Sequence, residues 1–193
     1  PLYLRGGEKV WITLFTCAVY RAVHLDLVMS QSTECFVLAL RRFISRRGRM
    51  NNILSDHGGN FEGTERLLRC IDVKALPDYI KWKFIPPKAP WWGGFWERLI
   101  KCVKDLLKRN LGHASLDYEE LLTLLCEVEN ILNSRPLTYV NTDNDDLQPL
   151  TPAHFLRDLP DGNPIDLDMV ADQQVRTRAY YLQQIRQNIK ERF

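Results

Sequence analysis

The sequence predicts an α/β domain in which helices pack on a mixed sheet. Strand-type segments follow one another directly near the N-terminus, and later strand-type segments alternate with amphipathic helical segments. Strands joined by short turns pair antiparallel, whereas strands reached through a helix usually pair parallel. The predicted sheet therefore has three antiparallel strands, then parallel strands, and helices flank it.

The first three strands are predicted from composition and turn signals. Residues 9–28 are rich in β-branched and aromatic residues, with an interruption near residues 17–21. This pattern predicts two paired strands joined by a turn. Gly6-Gly7 predicts an earlier hairpin turn, which leaves Leu2–Arg5 as part of a preceding strand.

A helix, a strand and a second helix are predicted next. Ser32 is the predicted N-cap of a helix over Thr33–Arg47, and Gly48 is its predicted stop. The arginines that crowd the end of this helix are Arg41, Arg42, Arg46, Arg47 and Arg49. Cations at this position favour the helix dipole. The residues that follow predict a strand over Asn51–Ser55 and a helix over Thr64–Ile71.

The last strand and the last two helices of the domain are predicted from periodicity and caps. Alternation over Ile80–Pro86 predicts a strand that prolines end. Helical spacing over Phe95–Leu111 places apolar side chains on one face and lysines on the opposite face. The next helix is predicted to run from Asp117, which forms a capping box with Glu120, to Asn133.

The net charge of +2 is unevenly distributed and suggests three regions. Residues 1–138, the predicted domain, hold 20 Lys and Arg against 15 Asp and Glu. Residues 139–172 hold eight aspartates and one basic residue, and are predicted to be an acidic, Pro/Asp-rich linker. Residues 173–193 hold five basic residues and one acidic residue, and their spacing predicts a weakly amphipathic, basic helix. The basic first region suits a polyanionic partner.

Composition narrows the class of protein. No segment approaches the roughly 20 apolar residues of a membrane-spanning helix. The N-terminus has neither an initiator Met nor a signal-peptide pattern, so the chain is interpreted as a fragment of a longer protein. The five cysteines lie singly, with no CxxC pair, which argues against a zinc knuckle or a disulfide framework and favours a reducing compartment.

Asp56 and Glu97 are the candidate functional acids. Asp56 follows a strand-type segment and precedes Gly58-Gly59, where an acid can be either a turn residue or a ligand at the exposed end of a strand. Glu97 lies in the first turn of a basic helix, where an acid can either favour the helix dipole or bind a metal. The neighbouring His57 is predicted to be an exposed loop residue rather than a metal ligand.

The surroundings of Glu97 favour contact with phosphate. The lysines that continue along its helix face are Lys101, Lys104 and Lys108. A lysine face is often only solvated, but here it leads away from a carboxylate, as a phosphate backbone crossing a metal site would require. The tryptophans just upstream are Trp91, Trp92 and Trp96. They are predicted to be packing residues, with base stacking as the alternative, and Gly93-Gly94 is predicted to be a hinge.

The segments around these acids resemble those of retroviral-type integrases. Ser55–Phe61 resembles the segment around the second acid of that family, and Gly93–Arg98 resembles the segment around the third. The chain looks like the integrase core of Bel/Pao-type long-terminal-repeat retrotransposons, and the resemblance extends to about Arg157. The basic helical segment 173–193 looks like the start of the region that follows the core in such polyproteins. The other segments that carry it are Phe15–Cys17, Arg21–Leu25, Arg41–Gly48, Asn133–Leu137 and Leu150–Leu156.

The resemblance implies an RNase H-like fold and a DDE polynucleotidyl transferase, in which three carboxylates bind two Mg²⁺ or Mn²⁺ ions. Asp56 and Glu97 would be two of these catalytic, metal-binding acids. The ions would activate the attacking water or 3′-hydroxyl and stabilise the leaving oxygen. The residues expected to contact DNA phosphates are Arg98, Lys101, Lys104 and Lys108.

The resemblance also implies partners and a location. The expected partners are the DNA ends of the element, the target DNA and further copies of the same chain, with no membrane. The expected location is the nucleus or an intracellular retroelement particle.

The first acid of the family has no counterpart in this sequence. In the family this acid lies on the first strand, shortly before a segment like Pro1-Leu2-Tyr3, so we expect it upstream of Pro1. We also expect upstream of Pro1 the zinc-binding domain that usually precedes the core in this family. Asp26 lies in the third strand, where the family has an acid that is not catalytic. We expect the metal site of this chain to be incomplete, which leaves open whether the chain alone is an enzyme. The alternatives are a nuclease that only hydrolyses and a degenerate or domesticated core that only binds nucleic acid.

Overall fold

The computed structural model describes residues 1–72, 80–111, 116–138 and 149–156. The strands are β1 (Leu2–Tyr3), β2 (Lys9–Thr16), β3 (Val23–Val28), β4 (Asn52–Ser55) and β5 (Lys81–Phe84). The α-helices are α1 (Thr33–Arg47), α2 (Gly59–Asp72), α3 (Gly94–Leu111) and α4 (Tyr118–Asn133), and two 3₁₀ helices span Pro90–Gly93 and Pro152–Phe155. Among these helices, none combines the length and the apolar character that a membrane span requires.

The N-terminal strands form a three-stranded sheet in the order β1-β2-β3. β1 pairs antiparallel with β2, with Leu2 opposite Val10. The turn between them contains Gly7 at a φ of 83°, a conformation that glycine adopts without steric cost. The Cys17 N–H donates to the Ala22 carbonyl at 2.9 Å and closes the turn between β2 and β3. The three predicted antiparallel strands and both of their turns are confirmed.

Helix α1 begins and ends at the predicted residues because both of its caps are local. The Ser32 hydroxyl accepts a hydrogen bond from the Cys35 N–H at 3.2 Å, which satisfies one of the free donors of the first turn. Gly48, at a φ of 84°, donates its N–H to the Ile44 carbonyl and ends the helix.

The second group of strands is the parallel pair β4 and β5, with Ser55 opposite Phe84 at its end. Helix α2 starts at Gly59, five residues before the predicted start at Thr64. The predicted start was wrong, because the N–H groups of Phe61 and Glu62 already donate to the Gly58 carbonyl. The connection from β4 to α2 therefore contains only residues 56–58, and it carries Asp56.

Helices α1 and α2 cross where Gly63 faces Thr33. A Cβ atom at Gly63 would overlap the hydroxyl of Thr33. The glycine therefore permits the two helices to approach closely. Their apolar faces meet through Phe36 and Phe61, whose rings pack edge to face at 4.8 Å between centroids.

Internal contacts group the chain into two compact units. The first comprises Pro1–Leu14 and Asp26–Cys102, and the second comprises Phe15–Leu25 and Val103–Phe193. In the second unit, α4 carries the predicted capping box, in which the Asp117 carboxylate accepts from the Glu120 N–H at 2.9 Å.

Part of the predicted linker is described in the second unit. Pro152 and Ala153 are buried there, and the Phe155 ring stacks on Tyr20 at 4.0 Å between centroids. The predicted helical region 173–193 and the remainder of the linker lie outside the described residues.

Candidate catalytic and nucleic-acid-binding site

Asp56 lies at the C-terminal end of β4, and the residues on both sides of it are anchored. The indole Nε1 of Trp82, on the neighbouring strand β5, donates to the Ser55 hydroxyl at 3.0 Å. That hydroxyl donates in turn to the Asp56 carbonyl at 2.9 Å. The backbone of Asp56 is therefore fixed by the parallel pair.

His57 anchors the other side. Its ring stacks on Phe84 at 4.9 Å between centroids, and its Nδ1 lies 3.2 Å from Glu62 Oε1 on α2. The predicted exposure of His57 is confirmed, since its side chain is 49% exposed, but it has partners in both β5 and α2. Glu62 is only five residues further along the chain, whereas Phe84 lies on a more distant strand that the fold brings to His57.

The Asp56 carboxylate is exposed and takes no part in holding its own turn. Among the described residues, none donates a hydrogen bond to it and none forms an ion pair with it. The alternative in which Asp56 serves as a turn residue requires such a bond to a nearby backbone N–H. The carboxylate is thus available to a ligand, while its backbone is held.

Glu97 lies in the first turn of α3, with its side chain exposed. In the described parts of the chain it has no hydrogen-bond or ion-pair partner either. The cations that follow it are exposed as well, and they are Arg98, Lys101, Lys104 and Lys108. The polar face of α3 therefore starts with a carboxylate and continues with positive charge.

The tryptophans before α3 differ in environment. Trp91 and Trp92 are 73% and 53% exposed, so the prediction that they are packing residues was wrong. They lie on the short 3₁₀ helix, which turns both side chains outward. Trp96 does pack, with its ring at 5.0 Å from that of Phe95.

Gly93-Gly94 was interpreted as a hinge, but the structure gives Gly93 a packing role. A Cβ atom there would lie 2.8 Å from the ring of Trp96, closer than real contacts allow. Gly94 is the first residue of α3.

The structure argues against a metal-binding role for Asp26. It is 3% exposed, and its Oδ2 accepts from Arg42 Nε at 2.7 Å. Its Oδ1 accepts from the Leu27 N–H at 3.0 Å. Both oxygens are occupied, in agreement with the expectation that this acid is not catalytic.

The structure places Asp56, Glu97 and Asp26 in the same compact unit but does not assemble a complete metal centre from the residues it describes. Within residues 1–72, 80–111, 116–138 and 149–156, no group of three or more His, Cys, Asp or Glu side chains is arranged to hold a metal ion. The chemistry of the two exposed carboxylates nevertheless suits a hard divalent cation, which prefers oxygen ligands.

Comparison with known proteins identifies the fold. No protein-family model matches the sequence, and no curated protein is similar to it. The catalytic core domain of HTLV-2 integrase, solved in complex with magnesium in a trimeric form, is similar in structure, with a TM-score of 0.55 and 18% identity. The match covers 80% of this chain and 90% of that one.

A second similar structure is the intasome of simian T-cell lymphotropic virus in complex with the PP2A regulatory subunit B56 gamma. The TM-score is 0.53 at 17% identity, and the match covers 81% of this chain and 57% of that chain. The fold is therefore the RNase H-like fold of retroviral integrase cores, and the predicted fold class is confirmed.

Proposed function

We propose that this chain is the catalytic core of a retrotransposon integrase of the Bel/Pao type, which joins DNA by metal-dependent polynucleotidyl transfer. The observation that carries the proposal is the availability of the Asp56 and Glu97 carboxylates to a ligand. Both carboxylates are exposed and without partners among the described residues, and they lie beside secondary structure of an integrase-like fold. Asp56 also lacks the bond to a nearby backbone N–H that a turn role would require, so its carboxylate is available to bind a ligand.

The proposed cofactor is Mg²⁺ or Mn²⁺, held by Asp56 and Glu97. Carboxylate oxygens are the ligands that these cations prefer, and the similar HTLV-2 core was solved with magnesium. When bound, the metal would supply Lewis-acid stabilisation of the phosphoryl oxygens and of the attacking oxygen. The contribution of His57 would be positional, because it holds the connection that carries Asp56 against Phe84 and Glu62.

The proposed substrate is DNA, both the ends of the element and the target. Arg98, Lys101, Lys104 and Lys108 would contact phosphates along α3, so binding would depend on salt and only weakly on sequence. The exposed rings of Trp91 and Trp92 are available to stack on unpaired bases.

We further propose that the chain acts as a homo-oligomer, in the nucleus or in an intracellular retroelement particle. The support for self-association is indirect, since the HTLV-2 core was solved in a trimeric form.

The test is a joining assay with labelled DNA ends in Mg²⁺ or Mn²⁺. The variants Asp56→Asn and Glu97→Gln should lose all joined product. Glu119→Gln is a matched control, because Glu119 is also an exposed acid in the first turn of a helix, and it should keep wild-type activity. Joined product that survives both site variants would refute the proposal.

A nucleic-acid-binding module without catalysis is the second candidate. It is favoured by the absence of a group of three metal-binding side chains from the described residues. In that case the wild type, Asp56→Asn and Glu97→Gln should bind DNA equally, with and without Mg²⁺, and give no product. Cleaved DNA without joined DNA would instead identify a nuclease that only hydrolyses.

A further inference from the structure

The C-terminal half of α1 carries an arginine-rich surface that the proposed catalytic site does not use. Residues 35–55 contain five arginines and no Asp, Glu or Lys. Three of the arginines, Arg41, Arg46 and Arg49, are exposed. Arg41 and Arg46 form no ion pair with any other residue that the structure describes.

Arg42 fixes this surface to the sheet. Its Nε lies 2.7 Å from Asp26 Oδ2, and its Nη2 donates to the Leu27 carbonyl at 3.2 Å. Because Asp26 is buried and already paired, its charge does not offset the arginines on either side of Arg42. Arg41, Arg42 and Arg46 lie within about 140° around the helix axis. The cations are therefore presented together, from a helix that is anchored.

The helix dipole does not account for all of these arginines. Its effect is confined to the last turn of a helix. Gly48 already donates to the Ile44 carbonyl at that end. Arg41 precedes the last turn, so it gains little from the dipole.

We propose that the exposed Arg41 and Arg46, on the helix that Arg42 anchors, bind the phosphate backbone of duplex DNA as a contact additional to the α3 lysines. Guanidinium groups match phosphate oxygens with two parallel hydrogen bonds, which an ammonium cannot do. The choice of DNA rather than another polyanion rests on the proposed function, but the contact itself does not require catalysis.

The test measures binding of the full chain to fluorescent duplex DNA in EDTA over a range of salt concentrations. Arg41→Glu combined with Arg46→Glu should weaken binding at least tenfold at about 50 mM salt, and loss of two phosphate contacts should reduce the slope of log affinity against log salt by about 1.8. Arg66→Glu with Lys81→Glu is the matched control, because both residues are exposed and the change in charge is the same. The control should keep the wild-type slope.

A variant without added negative charge distinguishes the loss of phosphate contacts from misfolding. Arg41→Gln with Arg46→Gln removes the same two contacts without introducing negative charge, so it should reduce the slope equally while circular dichroism stays that of the wild type. An unchanged slope in this variant, or an equal loss in the control, would overturn the proposal. So would a wild type that binds anionic phosphatidylserine vesicles through these arginines but does not bind DNA.

The same assay separates this inference from the proposed function. If joined product survives Asp56→Asn and Glu97→Gln while the arginine variants still lower the slope, the proposed function fails and the binding surface stands.

Discussion

The side-chain amide of Asn133 forms two hydrogen bonds with the backbone of Val23. Its Oδ1 accepts from the Val23 N–H at 2.8 Å, and its Nδ2 donates to the Val23 carbonyl at 2.8 Å. One turn earlier on α4, Glu129 Oε2 accepts from the Leu25 N–H at 2.8 Å. Side chains of α4 thus make the bonds to β3 that a neighbouring strand would make, and they protect a strand edge that would otherwise need a partner.

Replacement of Asn133 by alanine should destabilise the protein substantially. Asn133 is 3% exposed, so the variant leaves two buried backbone groups of Val23 without partners, at a cost of about 1–3 kcal/mol each. Urea unfolding measures the loss. Thr123→Ala, on the exposed side of the same helix, should stay within about 0.5 kcal/mol of the wild type. An Asn133→Ala variant as stable as this control would contradict the edge-protecting role.

The ion pair of Arg42 with Asp26 should be structural rather than catalytic. Arg42→Met leaves the buried Asp26 carboxylate without its cation, which should cost about 1–3 kcal/mol, because the Arg42 side chain is 39% exposed and solvent partly screens the pair. Asp26→Asn in the same background should recover part of this loss, because it removes the unpaired charge. Asp26→Asn alone should lower stability but keep metal-dependent activity, if the wild type shows any. Loss of activity at unchanged stability would instead make Asp26 a functional acid.

The crossing of α1 and α2 should not tolerate a side chain at Gly63. Gly63→Ala places a methyl group against Thr33, and overpacking of this kind costs about 1–3 kcal/mol. Thr33→Ala in the Gly63→Ala background should restore part of the stability. Gly59→Ala is the control, because a Cβ atom there meets open space, and it should be neutral or slightly stabilising. Equal effects of the two glycine substitutions in thermal unfolding would refute this account.

Glu34 should give the stability a specific dependence on pH. Hydrogen bonds from its own backbone N–H and from the Ser32 hydroxyl hold the pKa of its carboxyl below the ordinary value of 4.5. A lowered pKa in the folded protein means that the ionised form stabilises the fold above pH 4.5, and that this contribution disappears as the pH falls through the folded pKa.

Melting temperatures of the wild type and Glu34→Gln test this dependence. The variant should melt lower at pH 7, and the difference should close as the medium becomes acidic. A difference that grows on acidification would contradict the assignment.

The exposed Trp91 should contribute to binding of single-stranded DNA. Base stacking on an aromatic ring contributes about 1–3 kcal/mol per base, so Trp91→Ala should weaken binding at least fivefold. Trp91→Phe keeps an aromatic face and should retain most of the affinity. If Trp91→Phe and Trp91→Ala lose affinity equally, stacking is not the interaction, and if neither loses any, the ring does not contact DNA.

Local elements were predictable because their causes lie within a few residues. Ser32 and Gly48 define α1, and Asp117 with Glu120 defines the start of α4, through bonds to neighbours three or four positions away. The start of α2 was missed because a glycine pair is equally compatible with a turn, and only the bonds to the Gly58 carbonyl decide between them.

The sequence by itself determined the order of strands and helices, the caps of α1, the start of α4 and the two candidate acids, Asp56 and Glu97. Only the tertiary structure decided which polar groups are used within the fold. Asn133 forms hydrogen bonds with Val23, which lies 110 positions earlier in the sequence. Arg42 pairs with the Asp26 carboxylate, and the Trp91 side chain is exposed. The physical reason is that backbone conformation responds to adjacent residues, whereas burial and pairing depend on which distant elements pack together.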